Sequence, residues 1–376
     1  MAGFAARAQA RIKQLCCLGL GGEAIMPALL RELHHLIPSR ANTFFWADEN
    51  GRLSNICDES PDSAEIGPLY VNEFYNRREC EVQPGFSYTM RHHHGVYSAD
   101  SLTSVSRKKF LASDLYNLVF RPLKYHDFVR LMVREGGHTL GALQLWRAPG
   151  EARFTRRDRE RLRHLGPYIA HALTEAGHPE VPLVESDESG LLIADRHGCL
   201  QYACVQGRKL LFLATHPGIT PGRDGRQPVT LPPVVMRLCN TLIGVFEGKN
   251  PPAAPVCEIR NTWGRFTFRA HRLENSAVSP AVVGITVCRW EPLPLKLMRQ
   301  MDRLLLTARQ AQTCLLMANG LSATLIAKRM HISEHTAIAH SRQIYAKLGV
   351  HNRSQMMSKL LVLSGGGHEA ARARPA

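Results

Sequence analysis

Seven cations, Arg309, Lys328, Arg329, Arg342, Lys347, Arg353 and Lys359, stand between Leu306 and Leu363 against one carboxylate, Glu334. Such an excess suits a phosphate-rich partner, because each neutralised phosphate releases counterions. What the charge can do depends on the backbone that carries it. Thr307 with Gln310 three residues on has the spacing of a capping box, and the helix it opens carries Cys314, Leu315, Met317 and Ala318 and stops at Gly320. Ser322 opens a second helix, expected to bury Leu325, Ile326 and Met330. After a three-residue turn, His331 to Ser333, Ser333 caps a third helix that ends at Gly349, and a fourth follows from Asn352. In the third helix Ala337, Ser341, Ile344, Tyr345 and Leu348 share one face at helical spacing. That choice of inner face turns His335, Ile338, Ala339 and Arg342 outward, at i, i+3, i+4 and i+7. Two helices joined by a tight turn, the second presenting a solvated basic face, form the physical unit that enters a DNA major groove. These four residues are therefore the expected base-facing set, with Arg342 suited to the O6 and N7 of a guanine. Ser322 and Ser333 are first of all caps, with hydroxyls that could also touch phosphate.

The motifs L-T-x-R-Q, G-L-S-x-x-x-I-A-x-R-M-x-I-S-E-x-T and I-Y-x-K-L-G-V-x-N-R-S, which run through 58 of the 376 residues, resemble the LuxR-type helix-turn-helix DNA-binding domain. The resemblance implies double-stranded DNA as partner and phosphate contacts from Thr336, Lys347 and Arg353. One departure narrows the readout: Ile338 stands where that family often has a basic residue, so apolar contact with thymine methyls gains weight.

The elements that must position this module fill the rest of the chain. A net charge of +15 agrees with an acidic partner, and 376 residues at 44% hydrophobic suffice for two or three compact cores. Ten scattered cysteines without CxxC spacing and no apolar run of about 18 residues point to a reduced, cytoplasmic chain with no membrane partner. Helical periodicity covers 6–18 and 24–36, a strand is expected at 42–46, and a helical stretch at 68–77 leads into a long polar segment ending near Ser106. Two apolar strands, 127–134 and 139–146, flank Gly136-Gly137 as a hairpin, and an amphipathic helix follows to about Thr174 with Leu162, Leu165, Ile169 and Leu173 as its stripe. The charged side of that helix, Arg156, Arg157, Arg159 and Arg163, is expected to face solvent. The hairpin followed by F-T-x-x-D-x-x-x-L-x-x-L-x-P-x-I-A-x-A-L resembles the closing part of a GAF sensor domain.

Gly177 to Pro182 reads as a linker. Beyond it the strand 190–195, a D-x-x-G turn, the strand 199–202 and a short helix at 207–213 resemble the opening of a PAS domain, although Cys204 stands where that family often has Asn. A helix at 232–246 and strands at 256–260, 264–273 and 282–290 complete the unit, with Phe266, Phe268 and Ala270 alternating inward. The expected fold is thus multidomain: two α+β sensor domains, GAF-like at 1–176 and PAS-like at 183–291, a connecting helix at 292–305, an all-α four-helix helix-turn-helix domain at 306–364 and a disordered tail at 365–376.

Other chemistry is thinner. His92-His93-His94 invites a metal, but an extended chain aims only His92 and His94 the same way, so Cys80, His126 or His138 would have to complete a site. Cys199 and Cys204, five apart, should face opposite sides of a strand and not form a redox pair. No P-loop, G-x-S-x-G or H-E-x-x-H occurs, so no catalytic residue, metal ligand or cofactor is assigned. The expected function is a dimeric transcription regulator that binds two half-sites and answers to a small-molecule effector or partner, not an enzyme. A metal- or haem-based sensor, and an enzyme in residues 1–290 fused to a DNA-binding head, are the alternatives.

Overall fold

The structure is a computed structural model that describes residues 2–60, 62–174, 181–218, 231–273, 282–300, 304 and 306–365. The expected linker up to residue 180, most of the loop 216–227, part of the connecting segment 301–305 and nearly all of the C-terminal tail lie outside the described residues.

Helices α1 (Ala2–Cys16) and α2 (Gly22–Leu36) pack as a pair, and strands β1 (Ala41–Ala47) and β2 (Leu53–Asp58) follow. The next segment carries α3 (Ser63–Leu69), a wide helical turn at Tyr70–Phe74, α4 (Phe86–His92), β3 (Val96–Ser98), α5 (Ala99–Leu102) and α6 (Arg107–Leu111). The hairpin β4 (Asp127–Glu135) and β5 (His138–Arg147) turns on Gly136 and Gly137, whose positive φ angles a side chain would resist. Helix α7 (Arg156–Thr174) closes the unit; Thr155 and Asp158 cap it reciprocally. Leu162, Leu165 and Ile169 are fully buried along it, while Arg156, Arg157 and Arg163 are exposed.

The sheet runs β2-β1-β5-β4-β3, all antiparallel. Both of its faces are covered. Leu143, Leu145, Val129 and Leu131 join the α1, α2 and α7 side chains in one core, and Phe128, Met132, Ala142 and Trp146 join the 63–125 segment in another. Burial on both faces explains why β4 and β5 read as nearly continuous apolar runs. The polar stretch ending near Ser106 folds as the second cover, so α4, β3 and α5 replace the expected loop; each is too short to leave a period in the sequence.

The second unit comprises β6 (Leu183–Asp195), β7 (Leu200–Ala203), α8 (Val205–Thr215), α9 (Pro233–Phe246), β8 (Val256–Asn261), β9 (Gly264–Leu273) and β10 (Val282–Pro292). Its sheet runs β7-β6-β10-β9-β8. Counted within each unit, both sheets have the order 2-1-5-4-3, a repeat of topology that leaves no visible repeat in the sequence. Phe266, Phe268 and Ala270 turn inward as their alternation predicts.

The units are joined through side chains. Glu188 accepts from Arg31 of α2 at 3.0 Å and from Arg289 of β10 at 3.1 Å, Asn55 Nδ2 donates to the Pro217 carbonyl at 3.0 Å, and Trp46 meets Trp263 edge to face at 5.5 Å. Strand β10 passes straight into α10 (Leu293–Gln300), whose Leu293, Leu295, Leu297 and Met298 are buried. The segment expected to be a connecting helix is therefore packed into the core, and it touches α11 (Ala308–Ala318) and α14 (Arg353–Gly365) of the C-terminal bundle. Helices α12 (Ala323–Met330) and α13 (Glu334–Leu348) complete that bundle.

Candidate nucleic-acid interface

Local rules build the bundle. Thr307 and Gln310 form the reciprocal capping box, at 3.3 and 3.1 Å. The hydroxyls of Ser322 and Ser333 accept from the N–H groups of Leu325 and Thr336, at 3.3 and 3.1 Å. His331 takes the left-handed conformation at φ 53° to turn α12 into α13, and Gly349 ends α13 at φ 60°. Cys314, Leu315, Ile326, Met330, Ala337, Ile344 and Leu348 form the common core.

Leu325 departs from expectation: it is 52% exposed. With about 100° per residue, the buried set Ile326, Ala327 and Met330 defines a stripe that leaves Leu325 on the opposite side. The face of α13 is as expected at its ends, with His335 and Arg342 exposed, and Ile338 and Ala339 half-buried between them.

Among the described residues the cations divide into those with internal partners and those without. Arg353 donates to the carbonyls of Met317 at 2.5 Å, Gly320 at 3.4 Å and Leu321 at 3.5 Å, closing the C-terminal end of α11. Lys347 donates to Gln310 at 2.8 Å, Lys359 to the Leu348 carbonyl at 2.5 Å, and Arg329 to the Cys17 carbonyl at 3.2 Å. Arg342, Arg309 and Lys328 are exposed, with side chains that make no hydrogen bond or ion pair among the described residues. The last two belong to the charge excess of the sequence but were not assigned a contact; their helix phase was the available signal. Thr336 is half-buried and shares a hydrogen bond with the Ser333 hydroxyl at 2.7 Å.

The bundle is also seated on the N-terminal helices. Besides Arg329 on Cys17, Asn319 Nδ2 donates to the Leu18 carbonyl at 3.2 Å in a buried position. These contacts join residues some 300 positions apart, beyond what any local pattern conveys.

The other candidate chemistry does not assemble. Among the described residues no group of three or more His, Cys, Asp or Glu is placed to hold a metal ion, and His126 is engaged by the Tyr116 hydroxyl at 2.8 Å. All ten cysteines are free thiols, and Cys204 serves as the N-cap of α8, its sulfur accepting from Gly207 N at 3.2 Å. No described helix is long and apolar enough to cross a membrane.

Residues 304–360 match the family described as bacterial regulatory proteins, luxR family. No curated protein matches the chain. Among solved structures, the E. coli DhaR(N)–DhaL complex is 12% identical, covering 75% of this chain and 89% of that one at a TM-score of 0.25. A Vibrio cholerae VqmA–ligand–DNA complex is 18% identical, covering 47% and 83%, at a TM-score of 0.20.

Proposed function

We propose that this chain, a DNA-binding transcription regulator by its luxR-family domain at 304–360, grips two half-sites as a homodimer and answers to a small molecule held in its N-terminal units. The sensing part comprises residues 1–176 and 183–291, and the DNA-binding domain runs 306–364. The observation that carries the reading is the exposed face of α13: Arg342 is presented with no partner among the described residues, on a helix that follows a tight left-handed turn. His335, Ile338, Ala339 and Arg342 face the bases, with Arg342 on a guanine. Ser322, Ser333, Thr336 and Lys347 serve phosphates, joined by the exposed cations Arg309 and Lys328. Arg353, bound to three carbonyls, instead holds α11 against α14. In a homodimer the two recognition helices would lie about 34 Å apart and meet half-sites one helical turn apart.

Arg342→Ala tests the assignment. It should cost about 1–3 kcal/mol on the specific site and relax one base position, leaving random DNA bound as before. Gel-shift titrations on both DNAs check it, and equal loss on the two would sink the role. Sedimentation of the chain on a bound operator should give two copies per site; one copy would overturn the dimer.

A further inference from the structure

The face of the first sheet that looks toward the 63–125 segment carries one polar line. Register pairs Asp58 of β2 with Thr43 of β1, Thr43 with Gln144 of β5, and Gln144 with Arg130 of β4. Residues directly paired in an antiparallel sheet share a face, so these four side chains form a row across four strands. The row lines a cavity of about 120 Å³ whose remaining wall is largely apolar and aromatic, with Phe45, Tyr70, Phe120 and Trp146 from the first unit and Phe212 of α8 from the second.

The two ends of the row differ. At the β2 end Asp58 already accepts from the hydroxyls of Thr43 and of Tyr125, the latter at 2.8 Å, and from Ser60 N at 2.7 Å. Enclosure by protein around its cavity-facing surface pushes its pKa up to about 6. At the β4 end donors are left over. Arg130, 5% exposed, spends its Nε on Gln144 Oε1 at 2.6 Å, and its terminal nitrogens have no hydrogen bond or ion pair among the described residues. Glu79, the buried acid whose field reaches Arg130, is filled by Tyr70, Gln83 and the N–H groups of Asn76 and Phe86. Gln144 Nε2 is buried without a partner among the described residues. A buried guanidinium whose terminal nitrogens meet no acceptor among the described residues, next to an amide N–H in the same position, is costly unless something supplies acceptors. A carboxylate does so, since its two oxygens match the guanidinium fork and still accept from the amide.

We propose that the cavity binds a small monocarboxylate, with its carboxylate on Arg130 and Gln144 and its aromatic or aliphatic body among the side chains of the wall. The cavity holds on the order of ten waters where about 10–15 Å³ holds one, which sets the ligand at roughly ten non-hydrogen atoms. Lys209 of α8 adds a second cation to the lining. This site gives the effector of the proposed function a chemical class and rests on that reading for its role, though not for its chemistry.

Calorimetry on the full chain without DNA tests it, with phenylacetate and octanoate as probes and their neutral amides as controls. Both acids should bind, their amides at least about tenfold more weakly, and Arg130→Met should weaken phenylacetate about tenfold to a hundredfold. Gln144→Leu should cost about tenfold. The proposal is overturned when neither acid binds at millimolar concentration, when acid and amide bind alike, or when a folded Arg130→Met binds as the native chain does. Should that variant not fold, the acid–amide comparison on the native chain decides alone. A failure here leaves the DNA-binding reading standing, and a failure of the Arg342→Ala test leaves this site standing.

Discussion

Arg342 and Arg353 are the same residue type eleven positions apart, and in sequence both are expected to meet DNA, Arg342 at a base and Arg353 at a phosphate. The structure separates them by what they touch: Arg342 faces solvent and has no partner among the described residues, and Arg353 closes three carbonyls at the end of α11. Arg353→Ala should therefore cost the head about 1.5–2 kcal/mol of stability, the lower part of the range for hydrogen bonds to a charged group because the side chain is only half-buried. Thermal unfolding of the full chain measures this; unchanged stability together with a salt slope reduced by about one would return Arg353 to phosphate duty. Caps were legible in sequence because their partners lie three residues away, as Thr307 with Gln310 and Ser333 with Thr336 do. The Arg353 partners lie more than 30 residues upstream, and the Arg130–Gln144 pair exists only once the register of β4 and β5 is known. Residue type and local spacing carry neither fact.

Among the elements, those with a strong period came through in sequence: the 127–147 hairpin, α7, and the strands of the second sheet. Strand β2 did not, because its residues 53–58 mix Ser, Asn and Asp with three apolar positions and its place is set by pairing with β1. The junction of the two sheets was invisible for the same reason. It turns on Glu188, where burial raises the carboxyl pKa but the charges of Arg289, Arg31 and Lys209 outweigh it and bring it down to about 2. A carboxylate with a depressed folded pKa contributes stability that is fully present above its ordinary value of 4.5 and is lost as pH falls toward about 2. The shift corresponds to roughly 3 kcal/mol. Glu188→Gln should lower stability at neutral pH by about that amount, since it leaves the buried Arg289 without its anion. Urea unfolding of both proteins across the acid range checks the sign: the gap between them should close as pH drops from 4.5 toward 2, and a gap that stays constant would show that Glu188 acts through packing instead.

For the whole molecule, the question is how a ligand between β4 and α8 could reach the C-terminal helix-turn-helix bundle. The contacts form one continuous chain of packing: α8 supplies Lys209, Phe212 and Leu213 to the cavity wall, it packs on β6 and β10, β10 runs directly into α10, and α10 rests on α11 and α14. Arg299 of α10 is clasped bidentately by Glu291 at the end of β10, which ties the helix to the strand. Domain order, the DNA-binding head and a connecting helix between them were legible in sequence, but the burial of α10 and its packing links to α8 were not, because they depend on contacts between distant segments. If occupancy of the cavity shifts α8, the effect on DNA affinity should be a factor of about 5–150, and saturating DNA must change phenylacetate affinity by the same factor, because linkage between two binding events is reciprocal. Arg299→Met should shrink that factor toward one while leaving phenylacetate affinity in the absence of DNA nearly unchanged, since Arg299 does not line the cavity. Titrations of each ligand with and without the other supply all four affinities; full coupling retained in Arg299→Met would rule out α10 as the carrier and move the search to the seat of Arg329 and Asn319 on the N-terminal helices.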